Sequence, residues 1–169
     1  MLRGRATADE PGMLGELKAA TTRGLAALAK ARKPEGLNDA EFARLKGQAG
    51  TILHGAAGFI AFQEKDYAAA RPHYLDALKF DASDLQNTYQ LSLACLEASP
   101  LEPDGFWYVA RAIALAGGSA TPAVQDQIRT YAAAKYRRYH GSEEGWADLL
   151  GKAAKASAKP AGFTVKPAP

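Results

Sequence analysis

The segment from residue 51 to residue 84 spaces its small and aromatic residues in a way that few folds can accommodate. Gly58 is followed twelve residues later by Ala70. Tyr74 comes four residues after Ala70, and Ala77 comes three residues after Tyr74. Because residues three and four apart share a helix face, these small side chains would let two helices approach closely, with the aromatic ring filling the gap. The spacing predicts two helices packed tightly on each other through a short turn.

The rest of the sequence also predicts helices, because no polar and apolar alternation persists before the C-terminal tail. Helix starts are marked by caps, such as Asn38 with Glu41 three residues later, which is capping-box spacing. Pro72 lies inside the third expected helix and is expected to kink or shift its first turns. Ser83, Asp104 and Ser142 are the expected caps of three later helices. The seven expected helices cover about 13–31, 38–64, 66–80, 83–98, 104–116, 122–140 and 142–156.

Residues 85–119 form a looser copy of residues 51–84. Gly105 stands at the position of Ala70, Val109 at that of Tyr74, and Ala112 at that of Ala77. The order of residues is a small residue, an Asp-Tyr turn, Ala, an aromatic residue and then Ala-Leu, and it resembles the tetratricopeptide repeat (TPR). The residues expected to pack between the repeat helices are Gly58, Tyr67, Ala70, Tyr74, Ala77, Gly105 and Ala112.

The resemblance implies an all-α fold, a right-handed α–α superhelix of about seven helices. The tracts GFWYVARAIALAGG and KYRRYHGSEEGW are also similar to a group of bacterial TPR proteins of undefined role, whose members are often exported. The expected parts of the chain are an N-terminal extension (1–50), a first repeat (51–84), a looser second repeat (85–119), a capping helical hairpin (120–158) and an extended tail (159–169).

No arrangement of residues indicates catalysis, so we expect a protein that is not an enzyme and uses no cofactor. Cys95 is the only cysteine, and its apolar neighbours predict an inert core thiol. His54 and His73 lie on partner helices and could approach each other, but no carboxylate or thiol is spaced to complete a metal site. The first residues, MLRGRATADEPG, lack the apolar stretch of a signal peptide, which predicts a cytoplasmic protein. An exported or periplasmic protein stays open if the native start lies elsewhere.

The expected function is protein–protein interaction, because the first helix of each TPR hairpin lines a concave groove that takes a peptide or a partner helix. No apolar stretch is long enough to span a membrane. The family's carboxylate-gripping Lys and Asn are missing at the matching positions, so an apolar peptide is the expected ligand. Each groove residue has core packing as its alternative. The expected groove residues are Ile52, Gly55, Phe59, Phe62, Tyr89, Leu93 and Leu96.

Two other functions stay open. Residues 37–119 carry 6 basic against 10 acidic residues, whereas residues 120–169 carry 8 against 4. The basic helix 129–141 interleaves Arg and Lys with Tyr and could bind nucleic acid or another anionic polymer, although a solvated surface and a buried tyrosine stripe explain the same pattern. The nucleic-acid reading is the less favoured one. A purely structural or oligomerisation subunit is the remaining alternative.

The C-terminal tail contains a short apolar centre between its prolines. Phe163 and Val165 could dock against the helices of their own chain, either in the groove or on the last helix. A disordered tail is the alternative, because chain ends are loose unless something holds them.

Overall fold

The computed structural model describes residues 11–169, which form seven α-helices and contain no β-strand. The predicted all-α class is therefore confirmed for this part of the chain, and residues 1–10 of the expected N-terminal extension lie outside it. Within the described residues, no helix has both the length and the apolar character needed to cross a membrane. The helices are α1 (Pro11–Lys30), α2 (Asp39–Gln63), α3 (Tyr67–Phe80), α4 (Leu85–Leu96), α5 (Asp104–Ala116), α6 (Pro122–His140) and α7 (Trp146–Lys155).

The predicted caps of α2 and α3 are confirmed. The Asn38 side chain accepts a hydrogen bond from the Glu41 backbone N–H (2.9 Å), and the Asn38 N–H donates to Glu41 Oε2 (3.0 Å). Asp66 Oδ1 accepts from the Ala69 N–H at 2.9 Å and caps α3 in the same way. The helix continues past Pro72 to Phe80.

Three predicted helix starts are wrong by one to four residues. α4 is capped by Asp84, whose carboxylate accepts from the Asn87 N–H, while Ser83 hydrogen-bonds Asp81. Asp104 is the first residue of α5 and not its cap. α7 begins at Trp146, four residues after the expected Ser142. The preceding Gly145 has φ 78°, a left-handed conformation that interrupts any helix running from residue 142.

The core consists of two clusters. The smaller cluster joins α2, α3 and α4 and contains Ala61, Ala70, Tyr74, Leu91, Ala94 and Cys95. The larger cluster surrounds α5, in which eight of thirteen residues are buried, so this helix is enclosed on most of its circumference. α4, α6, α7 and the tail residue Val165 supply the surrounding side chains.

The last two helices pack mainly on α5. α6 and α7 each pack against α5, and α7 packs more extensively against α5 than against α6. The rings of Tyr136 and Trp146 make a contact between α6 and α7, with centroids 5.1 Å apart. Large rings thus stand at this contact, whereas small residues lie between α2 and α3.

Candidate functional site

The expected repeat-packing residues lie at close contacts between helices. A Cβ atom on Gly58 would be 2.7 Å from the Tyr74 ring, and one on Gly105 would be 2.7 Å from the Leu96 side chain. Glycine is therefore required at both crossings, because any larger residue would push the helices apart. The expected packing residues other than Tyr67 are all buried, and Tyr67 is half-buried with its ring edge-on to Phe62.

Three of the seven expected groove residues border one hollow between α1, α2 and α4. Ile52, Gly55 and Phe59 contribute from α2, and Leu17 contributes from α1. The hollow has a volume of about 300 Å³. Ile52 is 69% exposed, an unusually high value for an isoleucine, so this apolar side chain is available to a ligand.

Tyr89 borders a second hollow. This hollow has a volume of about 320 Å³ and lies between the start of α4 and the start of α6, where Val124 and Ile128 form its wall. Gln86 borders both hollows. The two hollows therefore share a lining residue in the first turn of α4.

Two residues that border the first hollow, Tyr74 and Gln90, also carry buried polar atoms that the repeat spacing does not predict. The hydroxyl of Tyr74 and Oε1 of Gln90 are buried and have no hydrogen-bond partner among residues 11–169. Asn87 is buried close to α2, and a Cβ atom on Gly55 would lie 2.5 Å from Asn87 Oδ1. Burial raises the pKa of the Tyr74 hydroxyl, which keeps it protonated as a hydrogen-bond donor. A donor, an acceptor and an amide thus adjoin the apolar side chains, which suits the backbone of an extended peptide.

The remaining expected groove residues lie elsewhere. Leu96 is 2% exposed and belongs to the larger core cluster, so its assignment to the groove is wrong. Phe62 packs against the smaller core cluster through Tyr67. Leu93 is half-buried and borders neither hollow. For these residues the core alternative describes their positions better than the groove does.

The two predicted histidine neighbours do come together. The rings of His54 and His73 have centroids 6.1 Å apart, and His54 Nδ1 lies 3.8 Å from Asp76 Oδ2. The His54 pKa is lowered chiefly by burial, while Asp76 acts in the opposite direction and His73 adds to the lowering. Among the described residues, no three His, Cys, Asp or Glu side chains are grouped closely enough to hold a metal ion.

Cys95 is 2% exposed, as expected of a core thiol. Burial raises its pKa to about 12, so the thiol is protonated at neutral pH. Because the thiolate is the nucleophilic form, this environment opposes catalysis by Cys95.

A third cavity, of about 440 Å³, lies between α3, α5 and the chain after α7. Lys79 and Lys159 are at its border, but each already pairs with a carboxylate, Asp76 at 2.6 Å and Asp104 at 3.1 Å. Arg111 donates to the Ala153 carbonyl at 3.3 Å. Both lysines at this cavity are therefore already paired, whereas the buried Nε of Arg111 has no partner among the described residues.

The tyrosines of the basic helix are occupied in packing. Tyr136 is 5% exposed, and Tyr139 packs against the Phe106 ring with centroids 5.3 Å apart. The Tyr131 hydroxyl donates to Glu97 Oε1 at 2.7 Å, and the same carboxylate pairs with Lys135 at 2.9 Å. These rings do not form the exposed platform on which bases stack.

The tail docks on its own chain, as one of the two sequence alternatives predicts. Val165 is 7% exposed, and the Phe163 ring meets the Trp107 ring edge-on with centroids 5.6 Å apart. The contacting surface belongs to α5, α6 and α7, not to the groove on α2 and α4.

Comparisons with known protein families, with curated proteins and with solved structures give no match to this chain. Any assignment of function therefore has to come from the residues themselves and from the surfaces they form.

Proposed function

We propose that this chain is a TPR-like helical-repeat protein, a right-handed α–α superhelix that binds an extended peptide or a partner helix without catalysis. The observation that carries the proposal is the pair of hollows that meet at Gln86. They run along α2, α4 and α6, which are the first helices of the three expected units. This is the face that TPR proteins use for ligands.

The chemistry of the two hollows supports a peptide as the ligand. Ile52 and Phe59 offer apolar contact, while the Tyr74 hydroxyl and Gln90 Oε1, on residues that border the same hollow, are a donor and an acceptor with no partner among the described residues. Apolar side-chain pockets beside backbone-binding polar groups are typical of peptide recognition. Burying the Ile52 side chain under a ligand would contribute roughly 1–2 kcal/mol to binding.

Nucleic-acid binding through residues 129–141 has less support, because Tyr136 is buried and the Tyr131 hydroxyl is hydrogen-bonded to Glu97. An oligomerisation role remains as the other candidate, since α1 exposes Met13 (59%) and Leu17 (37%). A peptide ligand is favoured because buried polar atoms without partners adjoin the groove and not the outer face of α1.

The test is selection of linear peptides from a phage-displayed random library, followed by fluorescence anisotropy with the selected peptides. We expect Ile52→Asp to weaken binding at least tenfold, because it places a charge in the first hollow. Leu45→Asp is the matched control, since Leu45 is also an exposed apolar residue of α2 (43%) but does not border either hollow. Failure to enrich any peptide, or equal affinity in wild type and Ile52→Asp, would contradict the proposal.

A further inference from the structure

We propose that the surface of α5, α6 and α7 covered by residues 159–168 is a second peptide-binding site, which the chain's own tail occupies. We call this surface the tail site. Its ligand class is an extended, proline-flanked basic peptide with an aromatic residue and a β-branched residue two positions later. The tail site lies apart from the groove on α2 and α4, and its occupant is visible in the structure.

Two side chains anchor the tail. Val165 is almost fully buried in the larger core cluster. Phe163 lies against Trp107, itself 1% exposed, in an edge-to-face arrangement. In an extended chain, residues two apart point the same way, which is how Phe163 and Val165 reach the same surface while Thr164 between them stays exposed.

The end of α6 binds the tail backbone. The Ala168 N–H donates to the Tyr139 carbonyl at 2.7 Å, and the Lys166 carbonyl lies 2.9 Å from His140 Nδ1. The last carbonyls of a helix have no partner within the helix, so they are available to a neighbouring strand of peptide. These bonds use only the peptide backbone and would serve any extended chain that presents the two anchors.

The charges around the tail site favour a basic peptide. Lys159 Nζ pairs with Asp104 Oδ2 at 3.1 Å. Glu144 and Asp148 border the same surface, and Lys152, which also borders it, is paired with Asp148 at 2.7 Å. The tail itself carries two lysines and no acidic residue.

The tail is attached in a way that allows exchange. It belongs to no helix, and only three residues separate the last residue of α7, Lys155, from Lys159. About 680 Å³ of space remains between residues 160–166 and the helices, so the tail does not fill the site. A segment with two side-chain anchors and few backbone bonds belongs to the least stable part of a fold, and a peptide presenting the same contacts can replace it.

The experiment uses the full-length chain and a fluorescein-labelled synthetic peptide with the sequence of residues 159–169. The F163A/V165A double variant weakens the resident tail by removing both of its anchors. We expect this variant to bind the peptide at least tenfold more tightly than wild type, as measured by anisotropy. Thr164→Ala changes the exposed residue between the anchors and is the matched control, with wild-type affinity expected. A peptide with both anchors replaced by alanine should not bind.

A folded double variant, checked by circular dichroism, that binds the peptide no more tightly than wild type would overturn the proposal. A second experiment tests the proposal if the double variant fails to fold. A specific protease site is inserted between Ser157 and Ala158, both exposed, in a chain that keeps the native tail. This protein is cut at the site after purification. Incorporation of labelled peptide into the cut protein supports the tail site, and absence of exchange overturns it. Ile52→Asp should leave both readouts unchanged, which separates this site from the proposed groove.

Discussion

The hairpin of α2 and α3 and the pair α6 and α7 were both expected to be helix–turn–helix units, yet they pack differently. In the first, Gly58 faces the Tyr74 ring, and the two helices contact each other directly along much of their length. In the second, the Tyr136 and Trp146 rings contact each other, and each helix packs mainly on α5. A tight crossing therefore joins α2 directly to α3, whereas α6 and α7 are joined chiefly through α5.

The two regions also differ in what they leave open. In the first region, Ile52 and Phe59 border the hollow that lies between α1, α2 and α4. Because α6 and α7 do not close on each other, a surface on α5 is left that Phe163 and Val165 cover. The first region thus keeps an open hollow, whereas in the second region Phe163 and Val165 of the tail cover this surface of α5.

The largest effect is expected from a larger side chain at the close contact between α2 and α3. Ala70 is fully buried between α2, α3 and α4, and Ala70→Leu should lower the free energy of unfolding by about 2–3 kcal/mol through overpacking. Ala68→Leu is the control, because Ala68 is exposed on the same helix. Urea denaturation measures both, and equal stability of the two variants would refute close packing as the basis of this hairpin.

The second-largest effect is expected in α5, α6 and α7, the region that the tail covers. Val165→Ala should cost about 1–2 kcal/mol, because it removes two methyl groups from a nearly buried side chain. Native-state hydrogen exchange should become faster in α5, α6 and α7 and stay unchanged in α2 and α3. Faster exchange throughout the chain would mean that the two regions are one cooperative unit.

The third effect depends on pH and belongs to the first hairpin. Because burial and His73 lower the His54 pKa below its ordinary value near 6.5, the unfolded chain binds this proton more readily than the folded one. Stability should therefore decrease as the pH falls from about 7 to 5.5, above the range where carboxylates titrate. His54→Gln should reduce this decrease in melting temperature. Identical pH profiles for wild type and His54→Gln would remove His54 as the cause.

The smallest effect is expected from the ion pair between α4 and α6. Lys135 pairs with Glu97 at 2.9 Å, but both side chains are partly exposed. Lys135→Met should change the free energy of unfolding by about 0.5 kcal/mol at low salt and by less in 0.5 M NaCl, because exposed pairs are screened. A change above that of Val165→Ala would show that charges, and not the tail, hold this region together.

Features set by neighbouring residues could be predicted from the sequence. The Asn38 and Asp66 caps need only a side chain and a backbone N–H three residues apart, and both are present. The α4 start was misplaced because Ser83 and Asp84 can each cap a helix, and local sequence does not rank them. The start of α7 was misplaced because Ser142 followed by two glutamates resembles a helix start. The left-handed conformation of Gly145 instead makes the helix begin at Trp146.

Features that depend on distant residues could be predicted only in part. That Leu96 is core and Ile52 is exposed follows from which helix each one meets, and the repeat spacing does not contain that information. The presence of Gln90 and the Tyr74 hydroxyl at one hollow requires α2, α3 and α4 to be placed together. Docking of the tail is one of two alternatives that its apolar centre leaves open, and of the surfaces that it contacts only α7 is among the expected ones.

Because Cys95 is buried, its chemical labelling can report local opening of the core. With the pKa raised to about 12 and 2% exposure, the thiol reacts with a reagent only after the helices packed around it have opened. Since the chain has one cysteine, each molecule can react once, so the labelling rate reports openings around this one position. The rate of local opening in the core can therefore be measured by mass spectrometry of thiol labelling, without any substitution in the native sequence.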